Sequence, residues 1–409
     1  MAARTRAGNP SAAAMAKLRA HLEALLQRHW WRARPTLLAR ALQPLSWLYG
    51  ALAGLQRWLV RPQSAPVPVL VVGNIVVGGA GKTPAVLAAV RALQAAGHQP
   101  AVLSRGYGRQ GRRAHRVTAG DSAALVGDEP LLMHRRSGVP VWVGRDRAAL
   151  ARQACAADPG VDVLVCDDGL QHHRLARNVN LIVFDERGLG NGLLLPAGPL
   201  RQRPGGHSTV PTRVLYNAAK PSTPLPGALA VRSIRSAWPL QAWWRQDQTR
   251  SVPLSALQGR ELVACAGLAA PEKFFAMLEA AGLRIRRLPL PDHHAYDTPP
   301  WPAGTLEVVT TEKDAVKLPR VPSVEADAGD AGGVGEECAA PGSSPGTSPV
   351  TSPVTSPVTS PGTSPGTARQ TATLASASTC IWVVPLDLQF PDALSRDLLA
   401  LLFPGQTPR

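Results

Sequence analysis

Short apolar runs alternate along most of the chain with stretches whose apolar residues recur every three or four positions. The runs are typical of buried strands, and the stretches between them are typical of helices. In the first block, strands are predicted at 67–72, 100–104, 139–143, 161–166 and 180–184, and helices at 84–96 and 147–157. Because strands that alternate with helices pair in parallel, this block predicts an α/β domain with a parallel sheet over residues 63–210.

A second block repeats this pattern with fewer elements. Its strands are predicted at 212–216, 261–267, 307–311 and 381–386, and its helix at 271–282. The pattern indicates a second, smaller α/β domain that consists of residues 211–322 and 379–409.

A low-complexity segment at 323–378 separates the last two of these strands. Its centre reads TSPVTSPVTSPVTSPGTSPGT. Ser, Thr, Pro and Gly offer almost no apolar surface to bury, and proline cannot donate to a hydrogen-bond ladder. The segment is therefore predicted to be a disordered surface loop, and we assign no chemistry to it.

Residues 16–62 carry leucines and tryptophans at helical spacing, interrupted by arginines. No apolar stretch reaches the roughly 20 residues that a membrane-spanning helix needs. Amphipathic helices of this composition lie in the headgroup region of a bilayer, with Trp at the interface and Arg on anionic lipid. A helical hairpin packed on its own domain fits the pattern equally well. Residues 1–15 are predicted to be a disordered extension.

Composition narrows the range of partners. The formal net charge of the 409 residues is +16, which favours anionic partners such as nucleic acid, anionic lipid or a phosphorylated substrate. A genome that prefers arginine explains the same excess. The five cysteines are scattered without a C-x-x-C pair, which argues against a zinc site and a disulfide framework and suits a reducing compartment.

The stretch VVGNIVVGGAGKTP at 71–84 joins a predicted strand to a predicted helix through a glycine-rich turn. It ends like a phosphate-binding loop, although Val76 stands where the spacing G-x-x-x-x-G-K-[ST] has its first glycine. Main-chain N–H groups at such a turn, and the N-terminus of the helix, point at an anion. The amine of Lys82 would neutralise β- and γ-phosphate charge, and the hydroxyl of Thr83 would bind Mg²⁺. The nucleotide-binding residues are predicted to be Val76, Val77, Gly78, Gly79, Ala80, Gly81, Lys82 and Thr83.

An apolar strand at 161–166 runs into Asp167 and Asp168. Carboxylates at the C-terminal end of a parallel strand lie in the same crevice as a phosphate loop. One of them is predicted to bind Mg²⁺, and the other to orient the metal or the acceptor. A turn or helix-capping role is the alternative.

Two further polar segments are ambiguous on their own. Asp128 and Glu129 precede an apolar helical stretch, where an aspartate commonly caps the helix. The segment PDHHAYD at 291–297 is compatible with a polar loop. An Asp–His pair is also what activation of a hydroxyl group requires, but the residues alone do not pair Asp128 with His293.

Several segments, in this order, together resemble the tetraacyldisaccharide 4′-kinases of lipid A synthesis. They are GNIVVGGAGKTP, LSRGYGR, GDEP, DDGLQHHRL, NGLLLPAGPLR, PDHH and TTEKDAVK. The resemblance runs from about residue 40 to the C-terminus, apart from the repeat insert. The family's phosphate loop also lacks the early glycine, so Val76 leaves the nucleotide prediction intact, because main-chain N–H groups do the binding.

The resemblance implies a kinase that uses ATP and Mg²⁺ and consists of two α/β domains, the first of phosphate-loop NTPase type. It would phosphorylate the 4′-hydroxyl of a tetraacyl glucosamine disaccharide 1-phosphate, a lipid A precursor. The N-terminal helices would hold it on the membrane surface, at the cytoplasmic face of the bacterial inner membrane. By motif position, Thr83 and Asp167 would bind the metal and Asp168 would serve catalysis. Asp128 would be the catalytic base, assisted by His293 or by its neighbour His294.

Two other functions fit parts of the sequence. A phosphate-loop GTPase or metallochaperone NTPase would carry N/T-K-x-D after a strand, but Thr311-Glu312-Lys313-Asp314 has its lysine one place late. A nucleic-acid-binding ATPase would interleave basic and aromatic side chains. Aromatic residues make up only 5% of the chain, so nucleic acid is not predicted as a partner.

Overall fold

The computed structural model describes residues 25–111, 113–205, 209–320 and 379–405. The predicted extension at 1–15, the predicted insert at 323–378 and the start of the 16–62 segment lie outside these ranges. The chain forms two compact units, Met1–Ser233 with Leu386–Arg409, and Ile234–Pro385.

The first unit contains an eight-stranded sheet in the order β3-β4-β2-β5-β1-β6-β7-β8. Every neighbouring pair is parallel except β3 with β4, which confirms the predicted α/β class with a parallel sheet. The strands are β1 Val69–Gly73, β2 Pro100–Ser104, β3 His115–Arg116, β4 Val141–Val143, β5 Val163–Asp167, β6 Val179–Phe184, β7 Thr212–Tyr216 and β8 Ala228–Leu229.

The helices of the first unit lie before its strands, between strands β1 and β5 and near the C-terminus, whereas strands β5 to β8 follow one another without a helix in the described residues. The helices are α1 Leu37–Ala41, α2 Gln43–Leu59, α3 Lys82–Ala95, α4 Ala123–Val126, α5 Asp128–Ser137, α6 Arg147–Ala157 and, at the C-terminal end, the helix Asp392–Leu402. Strands β1, β2, β5 and β6 are buried along their whole length. Strands covered on both faces require continuous apolar runs, which is why these segments were readable from the sequence.

The centre of this sheet positions the candidate site. β1 lies between β5 and β6, and Val72 of β1 is in register with Asp167 of β5. The loop after β1 and the loop after β5 therefore leave neighbouring strands at the same edge, where ligands of open α/β sheets bind.

The division of the chain differs from the predicted boundary between 210 and 211. β7 pairs in parallel with β6, from Asn180 opposite Thr212 to Phe184 opposite Tyr216, so it extends the first sheet. The C-terminal helix also belongs to the first unit, where Asp397 accepts a hydrogen bond from Arg213 at 3.0 Å. Strand-like patterning at 212–216 did not reveal which sheet the strand would join.

The second unit contains a six-stranded sheet in the order β11-β10-β15-β14-β12-β13. Its strands are β10 Ser236–Pro239, β11 Val252–Pro253, β12 Leu262–Ala266, β13 Ile285–Pro289, β14 Glu307–Thr311 and β15 Cys380–Val384, and its helices are α7 Leu240–Arg245, α8 Pro271–Ala280 and α9 Glu312–Ala315. The pattern did not predict β13, because this edge strand pairs with no other described strand than β12 and exposes Arg286 and Arg287.

A short antiparallel pair in the first unit joins β9 Val231–Ser233 to β16 Asp387–Gln389. The C-terminal helix that follows β16, Asp392–Leu402, is α10 in chain order.

The long N-terminal helix α2 has two different faces. On one face, Ser46 is buried and its hydroxyl donates to the carbonyl of Leu194 at 2.8 Å, while the hydroxyl of Tyr49 donates to the carbonyl of Arg201 at 3.0 Å. The other face exposes large apolar side chains, namely Leu45, Trp47, Leu48, Leu52, Leu55, Trp58 and Leu59. Among the described residues, no helix combines the length and the apolar character that crossing a bilayer requires.

Candidate active site

The missing glycine of the phosphate loop has a structural explanation. Val76 is fully buried in the hydrophobic core and forms an isolated antiparallel bridge with Leu200. The N–H of Val77 donates to the carbonyl of Pro199 at 2.9 Å. Position 76 is thus held against the segment 191–201, and an apolar side chain suits that environment. The amide of Val77, which we predicted to bind nucleotide, already has a protein partner in this structure.

The loop beyond Val77 is shaped for an anion. Gly78 and Gly81 have φ values of +88° and +77°, which side chains rarely adopt. Gly81 precedes the first residue of α3 without a side-chain capping bond, so the first turn of the helix keeps its N–H groups for another acceptor. A Cβ atom at Gly81 would lie 1.9 Å from Nδ2 of Asn217. Glycine is therefore required here both by conformation and by space.

Lys82 opens helix α3 and faces a carboxylate. Its Nζ lies 3.6 Å from Oδ2 of Asp168 and 3.5 Å from Oδ1 of Asn74. Asp168 has φ of 49°, a left-handed conformation that few non-glycine residues adopt, and its Oδ2 also lies 3.4 Å from Nη1 of Arg201. Strained backbone of this kind is found most often at functional sites.

Asp167 is buried next to this cluster. Its Oδ2 accepts a hydrogen bond from the hydroxyl of Ser104 at 2.9 Å, and the residue is only 4% exposed. Burial, with the nearby charges of Glu129 and Asp168, raises the pKa of Asp167 to about 7, against the opposing effects of Lys82 and Ser104. When the pKa of a carboxyl group lies near neutral pH, a cation beside it stabilises the ionised form.

The donor set fits Mg²⁺. Oδ1 of Asp167 and Oδ1 of Asp168 are both buried without a hydrogen-bond partner within the described ranges. Thr83 adds a hydroxyl in the first turn of α3. No group of three or more His, Cys, Asp or Glu residues that could enclose a metal occurs in the described part of the chain. Mg²⁺ needs no such group, because it binds one or two carboxylates and completes its shell with phosphate oxygens and water.

Asp128 is the first residue of α5 and is 7% exposed. Gly127, with φ of +96°, occupies the capping position, so Asp128 lies within the helix. The neighbouring Glu129 contributes to the raised pKa of Asp167, which brings its charge into the same site. Glu129 of the GDEP segment is therefore near enough to act electrostatically on Asp167, the last residue of β5.

His293 belongs to the second unit, in the loop after β13. Its backbone is left-handed, with φ of 60°, and its N–H donates to Oδ1 of Asp292 at 3.1 Å. Lys313 donates to the same Oδ1 at 3.0 Å. The ring of His294 packs edge-on against buried Tyr296, with centroids 4.9 Å apart. His293 is the more exposed of the two histidines.

Three arginines in the segments that carry the family resemblance have different environments. Arg201 lies in the site, bound to Asp168 through Nη1. Arg174 pairs at 3.4 Å with Asp146 on the surface. Arg109 donates to the carbonyl of Arg113 at 2.7 Å, and burial, with Arg145 and Arg147 nearby, lowers its pKa.

Four polar residues of the site were not assigned from the sequence. Ser104 holds Asp167, and Asn74, Arg187 and Asn217 each donate to a carbonyl of the phosphate loop. A positional signal was present: Asn74 directly follows β1, Asn217 directly follows β7 and Arg187 stands three residues after β6. Polar residues directly after parallel strands lie at the ligand-binding edge of the sheet.

Comparison with known proteins identifies relatives of most of the chain. A family model described as "Tetraacyldisaccharide-1-P 4'-kinase" matches residues 38–328. The tetraacyldisaccharide 4′-kinase of Methylibium petroleiphilum is 52% identical over 309 residues, which cover 74% of this chain and 85% of that protein. The one of Leptothrix cholodnii is 52% identical over 303 residues, which cover 73% and 86%.

The fold has a solved counterpart. It is the crystal structure of LpxK from Aquifex aeolicus in complex with ATP, which superposes with a TM-score of 0.64. The match covers 90% of this chain and 100% of that chain, at 22% sequence identity. At this identity the likeness supports the fold and carries no residue roles.

Proposed function

The chain belongs to the tetraacyldisaccharide-1-P 4′-kinase family, and on this premise we propose that it phosphorylates the 4′-hydroxyl of a tetraacyl glucosamine disaccharide 1-phosphate. The phosphoryl donor is ATP and the metal is Mg²⁺. The reaction is a step of lipid A biosynthesis. The observation that carries the proposal is the meeting of Lys82 with Asp168, 3.6 Å apart, beside buried Asp167 at the end of a glycine-rich loop.

The phosphate loop would bind the donor. Amides of the glycine-rich turn and of the first turn of α3 supply hydrogen bonds to phosphate oxygens, and Lys82 adds a positive charge. Phosphoryl transfer depends mainly on positioning and on neutralising charge, so these groups should supply most of the acceleration. Asp167 and the hydroxyl of Thr83 would hold Mg²⁺, which draws negative charge from the phosphates.

The sugar hydroxyl would be activated by Asp128. A hydroxyl is a weak nucleophile at neutral pH, and a positioned base is worth roughly 10²–10⁴-fold. Asp128 is buried at the start of α5, and the acidic neighbour Glu129 belongs to the same cluster as Asp167. By motif position, His293 is the residue proposed to assist the base. Its main-chain N–H donates to Asp292 and its ring is exposed, whereas the ring of His294 packs against Tyr296.

The exposed apolar face of α2 would rest on a membrane, at the cytoplasmic face of the inner membrane. On this face Trp47 and Trp58 are 61% and 80% exposed, and Leu37 in the preceding helix α1 is 83% exposed. Arg57 in the last turn of α2 supplies a positive charge for anionic lipid. The acceptor is an amphiphile, so an enzyme that lies on the bilayer need not extract it into water. Nucleic acid is not proposed as a partner.

The decisive experiment measures transfer of radioactive phosphate from ATP to the disaccharide 1-phosphate in detergent micelles. We expect product only with Mg²⁺ present, and none on an acceptor that already carries a 4′-phosphate. A protein that hydrolyses GTP in preference to ATP and leaves the lipid unmodified would instead be a phosphate-loop GTPase or metallochaperone-type NTPase, which is the competing function.

A further inference from the structure

Three consecutive carbonyl groups of the phosphate loop each accept a hydrogen bond from a side chain. Nδ2 of Asn74 donates to the carbonyl of Gly78 at 3.1 Å. Nη2 of Arg187 donates to that of Gly79 at 2.8 Å, and Nδ2 of Asn217 donates to that of Ala80 at 3.1 Å. We propose that these three side chains, here named the carbonyl clamp, are positioning residues that aim the loop amides at phosphate. This inference rests on the proposed function of the loop.

The geometry of the peptide bond explains how such a clamp works. In a trans peptide, the C=O of one residue and the N–H of the next lie in one plane and point in opposite directions. Holding the carbonyls of Gly78, Gly79 and Ala80 on one side therefore directs the N–H groups of residues 79, 80 and 81 to the other side. Within the described ranges, those N–H groups have no protein acceptor.

The clamp also prevents an unfavourable alternative. Glycine-rich backbone rotates easily, so a peptide of this loop could turn over and present its carbonyl oxygen to the ligand. A carbonyl oxygen carries partial negative charge and would repel phosphate, whereas a concave set of N–H groups attracts it. Anchoring three successive carbonyls removes this freedom before the ligand arrives.

Two of the three donors, Arg187 and Asn217, are themselves held by further contacts. Nε of Arg187 donates to both carboxylate oxygens of Asp185, at 3.2 and 2.9 Å, and its guanidinium stacks 4.3 Å from the ring centre of Trp31. Asn217 is 5% exposed, its N–H donates to the carbonyl of Phe184 at 2.7 Å, and its carbonyl accepts from Arg232 at 2.9 Å. These contacts restrict the positions of Arg187 and Asn217.

Strand order brings the donors to the loop. Arg187 follows β6 and Asn217 follows β7, and these strands lie next to β1 in the order β1-β6-β7. The clamp thus joins the ends of three adjacent strands. Gly81 confirms the close approach of Asn217, since a Cβ atom there would overlap Nδ2.

The test compares the affinity of purified full-length variants for Mg-ATP by isothermal titration calorimetry. Asn217→Ala and Arg187→Ala should each raise the Kd by about tenfold, as expected when a hydrogen-bonded support is lost. The KM for the lipid acceptor should stay unchanged in both. Arg187→Lys, which retains one cationic donor, should recover part of the affinity.

Asn180→Ala is the matched control. Asn180 is buried, donates through Nδ2 to Thr212 Oγ1 at 3.3 Å and has an unpartnered Oδ1, as Asn217 does, but it does not contact the loop. Its Kd for Mg-ATP should stay within about twofold of wild type, whatever its melting temperature. Asn217 is buried and its variant could misfold, but the partly exposed Arg187 gives an independent measurement.

The outcomes separate this inference from the proposed function. If wild type binds Mg-ATP and either alanine variant of Arg187 or Asn217 binds it equally tightly, the clamp is overturned while the kinase assignment stands. If wild type has no affinity for Mg-ATP, the proposed function fails and the inference fails with it.

Discussion

The ammonium group of Lys82 lies 3.6 Å from Oδ2 of Asp168, across the edge of the sheet where β1 and β5 end. The pair joins the phosphate loop to the acidic segment at the end of β5. The same Oδ2 lies 3.4 Å from Arg201, so two cations share one carboxylate. Such a pair keeps Lys82 extended over the loop, where an incoming triphosphate adds a second anionic partner.

Lys82→Ala should reduce kcat by roughly 10²–10³-fold, because it removes a charge that stabilises the transferring phosphoryl group. Circular dichroism should show an intact fold, since the side chain is partly exposed and holds no core element. The exposed Lys220→Ala serves as the control and should retain full activity. Unchanged kcat in Lys82→Ala would contradict the role of this lysine.

Asp128→Asn should lower kcat by roughly 10²–10⁴-fold while the KM for ATP changes little, because the amide cannot accept the acceptor's proton. Asp392→Asn is a matched control, since Asp392 also begins a helix but is exposed. Steady-state kinetics with both substrates varied would check this. Wild-type kcat in Asp128→Asn would exclude this residue as the base.

The affinity for Mg²⁺ should depend on pH near neutrality. Burial and the neighbouring acidic charges raise the pKa of Asp167 to about 7, so protons compete with Mg²⁺ below that pH, and the apparent affinity should fall by up to about tenfold per pH unit. Ser104→Ala removes a hydrogen-bond donor that lowers this pKa, so the loss of Mg²⁺ affinity on acidification should begin at a higher pH. Activity measured against Mg²⁺ concentration from pH 5.5 to 8.5 tests both statements; superimposable profiles of wild type and Ser104→Ala would refute the second.

Asp167→Asn should abolish most activity but stabilise the metal-free protein at pH 8. The pKa of Asp167 is raised from 3.8 to about 7 on folding, so between these values the folded state binds more protons than the unfolded state. The free energy of unfolding therefore falls as the pH rises through that window. Above the window, the buried ionised carboxylate exerts its full destabilising effect. We expect a melting temperature a few degrees above wild type at pH 8 and no gain near pH 4. If Asp167→Asn melted at a lower temperature than wild type at pH 8, the buried charge of Asp167 would not destabilise the folded protein.

Deletion of residues 325–376 should leave kcat and KM within about twofold of wild type, because the repeat composition offers nothing to a packed core. β14 and β15, which flank the insert in sequence, are neighbours in the sheet, with Glu307 opposite Cys380. Because the two strands are parallel, they need a crossover connection; residues 312–324 remain in the deletion variant, and a Gly/Ser linker would complete that connection. A large loss of activity would assign the insert a role.

The sequence by itself determined the class of the fold and the identity of the central chemistry. The runs at 67–72, 161–166 and 180–184 became β1, β5 and β6, because strands buried on both faces must be apolar throughout. Lys82 and the Asp167–Asp168 pair were readable because glycine-rich turns and acidic strand ends have distinctive local chemistry. The family followed from several such segments in a fixed order.

Only the tertiary structure decided which groups meet. Arg187 and Asn217 stand more than a hundred residues from the phosphate loop, and their type and position in the chain do not reveal that they bind its carbonyls. Strand order made the difference: it placed β6 and β7 beside β1 and brought 212–216 into the first sheet rather than the second. The raised pKa of Asp167 likewise depends on burial and on neighbours brought together by folding. Local sequence specifies elements through short-range sterics and hydrophobic periodicity, whereas a site is made by contacts between distant segments.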